Sequence, residues 1–72
     1  MNPKIGDPMT RVVPPEDGNA GYCQTGKVVS VSDAEIVVSI QSDQFRHMTF
    51  RRKDGTDTSG MGSFIVIPDF LT

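Results

Sequence analysis

Seventy-two residues with one cysteine, Cys23, and one histidine, His47, leave room for a single domain over 1–72 with a thin core; they exclude an internal disulfide and a four-ligand Cys/His zinc site. The formal net charge of −2 averages over a segregated pattern: residues 1–45 carry three basic and six acidic side chains, 46–53 four basic and none acidic, 54–72 three acidic and none basic. No positively charged start leads into an apolar run, and the longest apolar run is Phe64-Ile65-Val66-Ile67. The sequence therefore predicts no secretion signal and no membrane contact, and with a lone free thiol it points to a cytoplasmic protein.

No window of a dozen residues has the three-and-four apolar spacing of a helix, so an all-β chain is expected. Gly6-Asp7-Pro8 turns the chain into a first strand, Met9 to Val13, in which Met9, Arg11 and Val13 share one face. Pro14-Pro15 ends it by removing two ladder donors, and Glu16 to Gly21 reads as a polar loop. The second strand is Gly26 to Ser32. A tight connection at Asp33-Ala34 leads to the third, Glu35 to Gln41, where Ile36, Val38 and Ile40 alternate with polar or second-face residues. Ser42-Asp43-Gln44 is a hairpin loop, the fourth strand runs from Phe45 to Arg52, and the fifth from Phe64 to Pro68, reached through the glycine- and hydroxyl-rich loop Asp54 to Ser63.

Five short strands in so small a domain leave bare edges and an uncovered face when flat; curling the sheet on itself removes both. The fold class expected is thus all-β, a small five-stranded open barrel. Its predicted core is Val12, Val29, Val31, Ile36, Val38, Ile40, Phe50, Ile65 and Ile67.

The opening Ile5-Gly6-Asp7-Pro8-Met9-Thr10-Arg11-Val12-Val13, with Thr25-Gly26-Lys27-Val28-Val29-Ser30-Val31, resembles the SH3-like barrels of the KOW type. Those domains commonly place a Gly-Asp turn before strand one and a glycine before a valine-rich strand two. The segment Phe45-Arg46-His47-Met48-Thr49-Phe50-Arg51-Arg52-Lys53-Asp54-Gly55 resembles small β-rich proteins encoded by phages and prophages. The first resemblance implies an SH3-like barrel in contact with nucleic acid or the transcription and translation machinery; the second implies a mobile-element origin.

The basic strand carries the functional expectation. Alternation puts Met48 and Phe50 inward and His47, Thr49 and Arg51 outward, with Arg46 and Arg52 at the strand ends and Lys53 in the turn. Arginine forks on an outer face suit phosphate or carboxylate oxygens, and the same cations on an edge strand block self-pairing. Asp54 and Asp57 are candidate ion-pair partners of these arginines. The 54–63 loop matches neither an EF-hand nor a phosphate loop, so it reads as a mobile connection, and no metal or cofactor is expected. Cys23 and His47 fall in different segments without an orienting third group, so no catalytic residue is assigned. The tail, with Phe70 and Leu71, is apolar on both faces and is a candidate for docking back or anchoring a partner. With a sequence pI near 5.0, against the basic balance usual for nucleic-acid binders, the expected function is a non-catalytic interaction module. Its partner is a protein, either a second copy or a host protein, bound through Arg46, His47, Thr49, Arg51, Arg52 and Lys53, or through Phe70 and Leu71. The alternative is weak nucleic-acid binding to backbone phosphates through Arg46, Arg51, Arg52 and Lys53.

Overall fold

The computed structural model describes residues 2–41, 46–60 and 62–67, the Arg46 side chain apart. Five strands form one antiparallel sheet: β1 (Pro8–Val13), β2 (Tyr22–Val31), β3 (Glu35–Ile40), β4 (Arg46–Arg51) and β5 (Phe64–Val66). Their order is β4-β3-β2-β1-β5, so each hairpin-connected strand lies beside its predecessor until β5 crosses to pair with β1. The sheet is all-β and curls into a half-barrel, as its five short strands demand. Among the described residues no helix is long and apolar enough to cross a membrane.

The two edge strands of the curled sheet are joined by the segment between them. Phe50 of β4 bridges Asp57, and Thr56 bridges Phe64 of β5. Arg51 donates its main-chain N–H to the Thr56 carbonyl at 2.7 Å, and Ile65 donates to the Gly55 carbonyl at 2.9 Å. Gly55, at φ 77°, makes the turn that aims the chain back along β4; the left-handed region is open to glycine at little cost. The sequence predicts a mobile loop over 54–63. Thr56 and Asp57 instead make two isolated bridges, to Phe64 and Phe50, which satisfy edge groups that would otherwise stay unpaired.

The interior is Met9, Val28, Ile36, Val38, Ile40, Phe50 and Ile65, with Val31, Met48 and Ile67 packed against it. Five of the nine expected core residues are fully buried, and Val31 and Ile67 are partly so. Two are not, and each has a local cause. The β2–β3 register jumps between Val28 and Ser30, so Val29 is the extra residue of a bulge. A bulge reverses the side-chain parity of a strand; Val28 and Val31 therefore share the inner face, and Val29 stands 37% exposed. In β1 the inward face is that of Met9 and Arg11 rather than Val12, which is half-buried on the outer side.

β2 also starts at Tyr22, four residues before the expected start, because Tyr22 to Thr25 pair with the second half of β1. Gly26 is not a strand-opening turn but a close-approach site. It is buried in mid-strand opposite Met9, and a Cβ there would collide with the Ser39 carbonyl oxygen and meet Met9 Sδ at 3.1 Å. Glycine lets the β2 and β3 backbones approach closely at this point.

Candidate partner-binding site

The β3–β4 hairpin sets the site. Its register pairs Glu35 with Arg51, Val37 with Thr49 and Ser39 with His47. Since Phe50 is fully buried and Met48 packs on the core, the odd residues of β4 point outward: His47 and Arg51 are exposed and Thr49 is half-buried. The expected outward ladder is present. Pairing continues past the strand, where Arg52 donates its main-chain N–H to the Ala34 carbonyl at 2.9 Å. That bond brings the β2–β3 turn alongside Lys53.

The turn itself is held by Ser32. Its N–H donates to the Glu35 carbonyl at 2.9 Å, and its Oγ accepts the Glu35 N–H at 3.1 Å. Ser, placed so, competes well for turn donors. The outcome is a surface groove of about 540 Å³ lined by Asp33, Ala34, Glu35, Arg51, Lys53 and Thr58. All six are exposed. Two carboxylates and two cations thus share its lining, with Glu35 and Arg51 side by side in the β3–β4 register.

The cations of the basic segment are not equivalent. Arg51 Nη1 donates to Thr56 Oγ1 at 3.2 Å and to the Asp57 carbonyl at 3.0 Å. Thr56 in turn donates both its N–H and its hydroxyl to Asp54 Oδ1, at 3.0 and 2.7 Å. These two bonds, the hydroxyl one first, hold the Asp54 carboxyl below its ordinary range, with smaller help from Lys53 and Arg51. Arg52 turns away from the outer face: it donates to the Ser32 carbonyl at 3.1 Å and to Asn2 Oδ1 at 3.3 Å. Arg52 thus ties the N-terminal segment to the turn. Arg46 belongs to β4 by its backbone, and its side chain, like Phe70 and Leu71, lies outside the described residues.

Asp57 does not pair with the basic strand through its carboxylate. That group is buried on the opposite side, where Oδ1 accepts from Ser59 N–H and Oγ at 2.7 Å each and Oδ2 accepts from Ser63 Oγ at 3.0 Å. Ser63 Oγ also accepts from Arg11 Nε at 3.2 Å, and Arg11 Nη1 donates to Gln24 Oε1 at 2.6 Å. Arg11 and Asp57 are only 7% and 4% exposed. A serine hydroxyl therefore relays two buried opposite charges and links β1, β2, the residue just before β5 and the closing segment. Local pattern marks Asp57 only as a partner for the nearby basic strand and does not mark Arg11 at all, because the Arg11–Ser63 bond spans 52 residues of sequence.

Burial pushes the Asp57 carboxyl up, but hydrogen bonds from Ser59 and Ser63 and the Arg11 charge outweigh it, and the net shift is downward from 3.8. A lowered folded-state pKa contributes stability that is fully present above the ordinary carboxylate value and is lost as pH falls through the folded value. Urea midpoints measured by circular dichroism are therefore expected to hold from neutral pH to about pH 4 and drop below it. In Asp57→Asn the acid drop should be smaller; an unchanged drop would remove Asp57 as its source.

Cys23 is exposed on β2 opposite Val12, and His47 sits on β4 opposite Ser39. Two strand spacings and four residues along the sheet separate them, on the order of 15 Å. The thiol and imidazole are thus not a nucleophile–base pair.

Comparison with protein-family models, with curated proteins and with solved structures gives no match. The KOW-type and phage-type resemblances rest on the residues quoted for them.

Proposed function

We propose that this chain is a non-catalytic interaction module, an SH3-like barrel of phage or mobile-element origin, that binds a protein partner through the outer face of β4 and the groove at its end. The observation that carries this reading is the charge balance of the groove. Asp33 and Glu35 line it together with Arg51 and Lys53. A run of phosphates laid along Arg51 and Lys53 would meet two carboxylates at close range, whereas a protein surface offers both signs of charge. Arg52 also serves the fold rather than the outer face, which leaves a small cationic footprint for nucleic acid. Phe70 and Leu71, which lie outside the described residues, are proposed from sequence alone as a second, apolar anchor.

The test compares the wild-type chain with an Arg51→Ala/Lys53→Ala variant, each immobilised and exposed to bacterial lysate treated with nuclease, with quantitative proteomics as the readout. A specific protein retained by wild type and reduced about tenfold or more in the variant is expected, a loss of roughly 1.4 kcal/mol. Fluorescence titration with a short duplex and a single-stranded RNA at two salt concentrations runs in parallel. Tight, steeply salt-dependent binding that the variant loses would replace the protein reading with the nucleic-acid one.

A further inference from the structure

We infer that the groove takes an extended peptide segment with a carboxylate two residues from a basic side chain, a Glu-x-Lys or equivalent pattern, in preference to an acidic run. The inference rests on the protein-binding reading above and gives its partner a chemistry.

Arg51 supplies the carboxylate seat. Its two hydrogen bonds, to Thr56 Oγ1 and the Asp57 carbonyl, both use Nη1, and an Nη group has two hydrogens. The edge formed by Nε and Nη2 is not engaged by those bonds, and it is an edge that takes the two oxygens of a carboxylate side by side. The guanidinium is held in place before a ligand arrives. Asp54 orients the Thr56 hydroxyl that accepts from it, so little ordering remains to be done on binding. Lys53 adds a second cation to the lining.

The neighbouring acids decide what must accompany that carboxylate. Glu35 lies directly across from Arg51 in the β3–β4 register, a cross-strand separation of about 5 Å, and Asp33 follows it into the groove. A ligand carboxylate seated on Arg51 therefore sits beside a like charge. A basic side chain next to it converts that repulsion into a second attraction, while a second acid or a phosphate compounds it. In an extended segment, residues i and i+2 lie on one face about 7 Å apart. Side chains two apart on such a segment are near enough for one to reach the Arg51 cation and the next the neighbouring Glu35 carboxylate, hence the Glu-x-Lys pattern.

The experiment titrates the 15N-labelled full chain at low ionic strength, where exposed charges are least screened. The ligands are three ten-residue peptides with serine spacers, bearing alternating Glu and Lys, Glu alone, or Lys alone, and a ten-nucleotide single strand of DNA. The mixed peptide is expected to shift the amides of Ala34, Arg51, Lys53 and Thr58 and to bind about fivefold tighter than either single-charge peptide. Glu35→Gln should weaken the mixed peptide and strengthen the all-Glu one, a crossing that general loss of folding cannot produce. Lys53→Gln, in an exposed turn, provides a second variant if Arg51→Gln perturbs the closing segment. Equal or tighter binding of the all-Glu peptide, or no shifts with the mixed one, overturns the inference. If lysate capture still depends on Arg51 and Lys53 in that event, the protein-binding reading stands alone; if the DNA binds tightest at these amides, both fall.

Discussion

Replacing Asp57 by alanine is expected to destabilise the fold by about 3–5 kcal/mol, because it leaves the buried Arg11 charge without its counter-charge. A domain of this size is stable by about 4–11 kcal/mol, so the loss is a large share of the total. Three donors, the Ser59 N–H and the hydroxyls of Ser59 and Ser63, lose their acceptor at the same time. The group being removed also sits in the segment that joins β4 to β5 through the Phe50 and Thr56 bridges. Urea unfolding of Asp57→Ala, Arg11→Met and the double variant, followed by far-ultraviolet circular dichroism, checks this. The double variant should cost less than the two single changes added together, since it removes both charges. A cost below about 1 kcal/mol for Asp57→Ala would show that the relay through Ser63 contributes little.

That network has a functional side. The carbonyl of Asp57 is one of the two groups that hold Arg51 Nη1, so the carboxylate that pins the closing segment from within also fixes the guanidinium on the outer face. Loosening the segment should cost peptide affinity before it costs secondary structure. Stability and site geometry meet in one residue, whose buried partner Arg11 local sequence pattern does not reveal.

What was legible in the sequence is what local pattern can encode. Ile36, Val38 and Ile40 at period two fixed the inner face of β3, and the expected strand ends at Gln41 and Phe45 imply the register that is observed, so counting outward from them places Glu35 opposite Arg51. The acidic lining of the groove could therefore have been found by that count. What was not legible depends on distant partners. An arginine on the Met9 face argues by local rules that this face is outside; its burial is made possible by Gln24, Ser63 and Asp57, none of them near it in sequence. Val28-Val29 offers two equivalent valines, and only the bulge against β3 decides which is inside. Likewise, nothing in the composition of Gly55 to Thr58 marks Thr56 and Asp57 as bridging residues until β4 and β5 are in place on either side.

Phe50→Ala is expected to cost about 3–5 kcal/mol, the range for emptying a fully buried aromatic site. Phe50 is completely enclosed and is the only aromatic ring in the described core. It lies opposite Ile36 across the hairpin and bridges Asp57 through its backbone, so a cavity there opens beneath the groove. With so few buried side chains the neighbours have little means of collapsing into the space. Phe50→Leu keeps most of the volume and should cost less than about 1.5 kcal/mol. The pair separates packing from recognition: the leucine variant should bind the mixed-charge peptide as wild type does, because Glu35 and Arg51 keep their register. Were the leucine variant fully folded yet unable to bind, the outer groove would not be the contact surface, and the search for one would move to residues on the inner side of the closing segment.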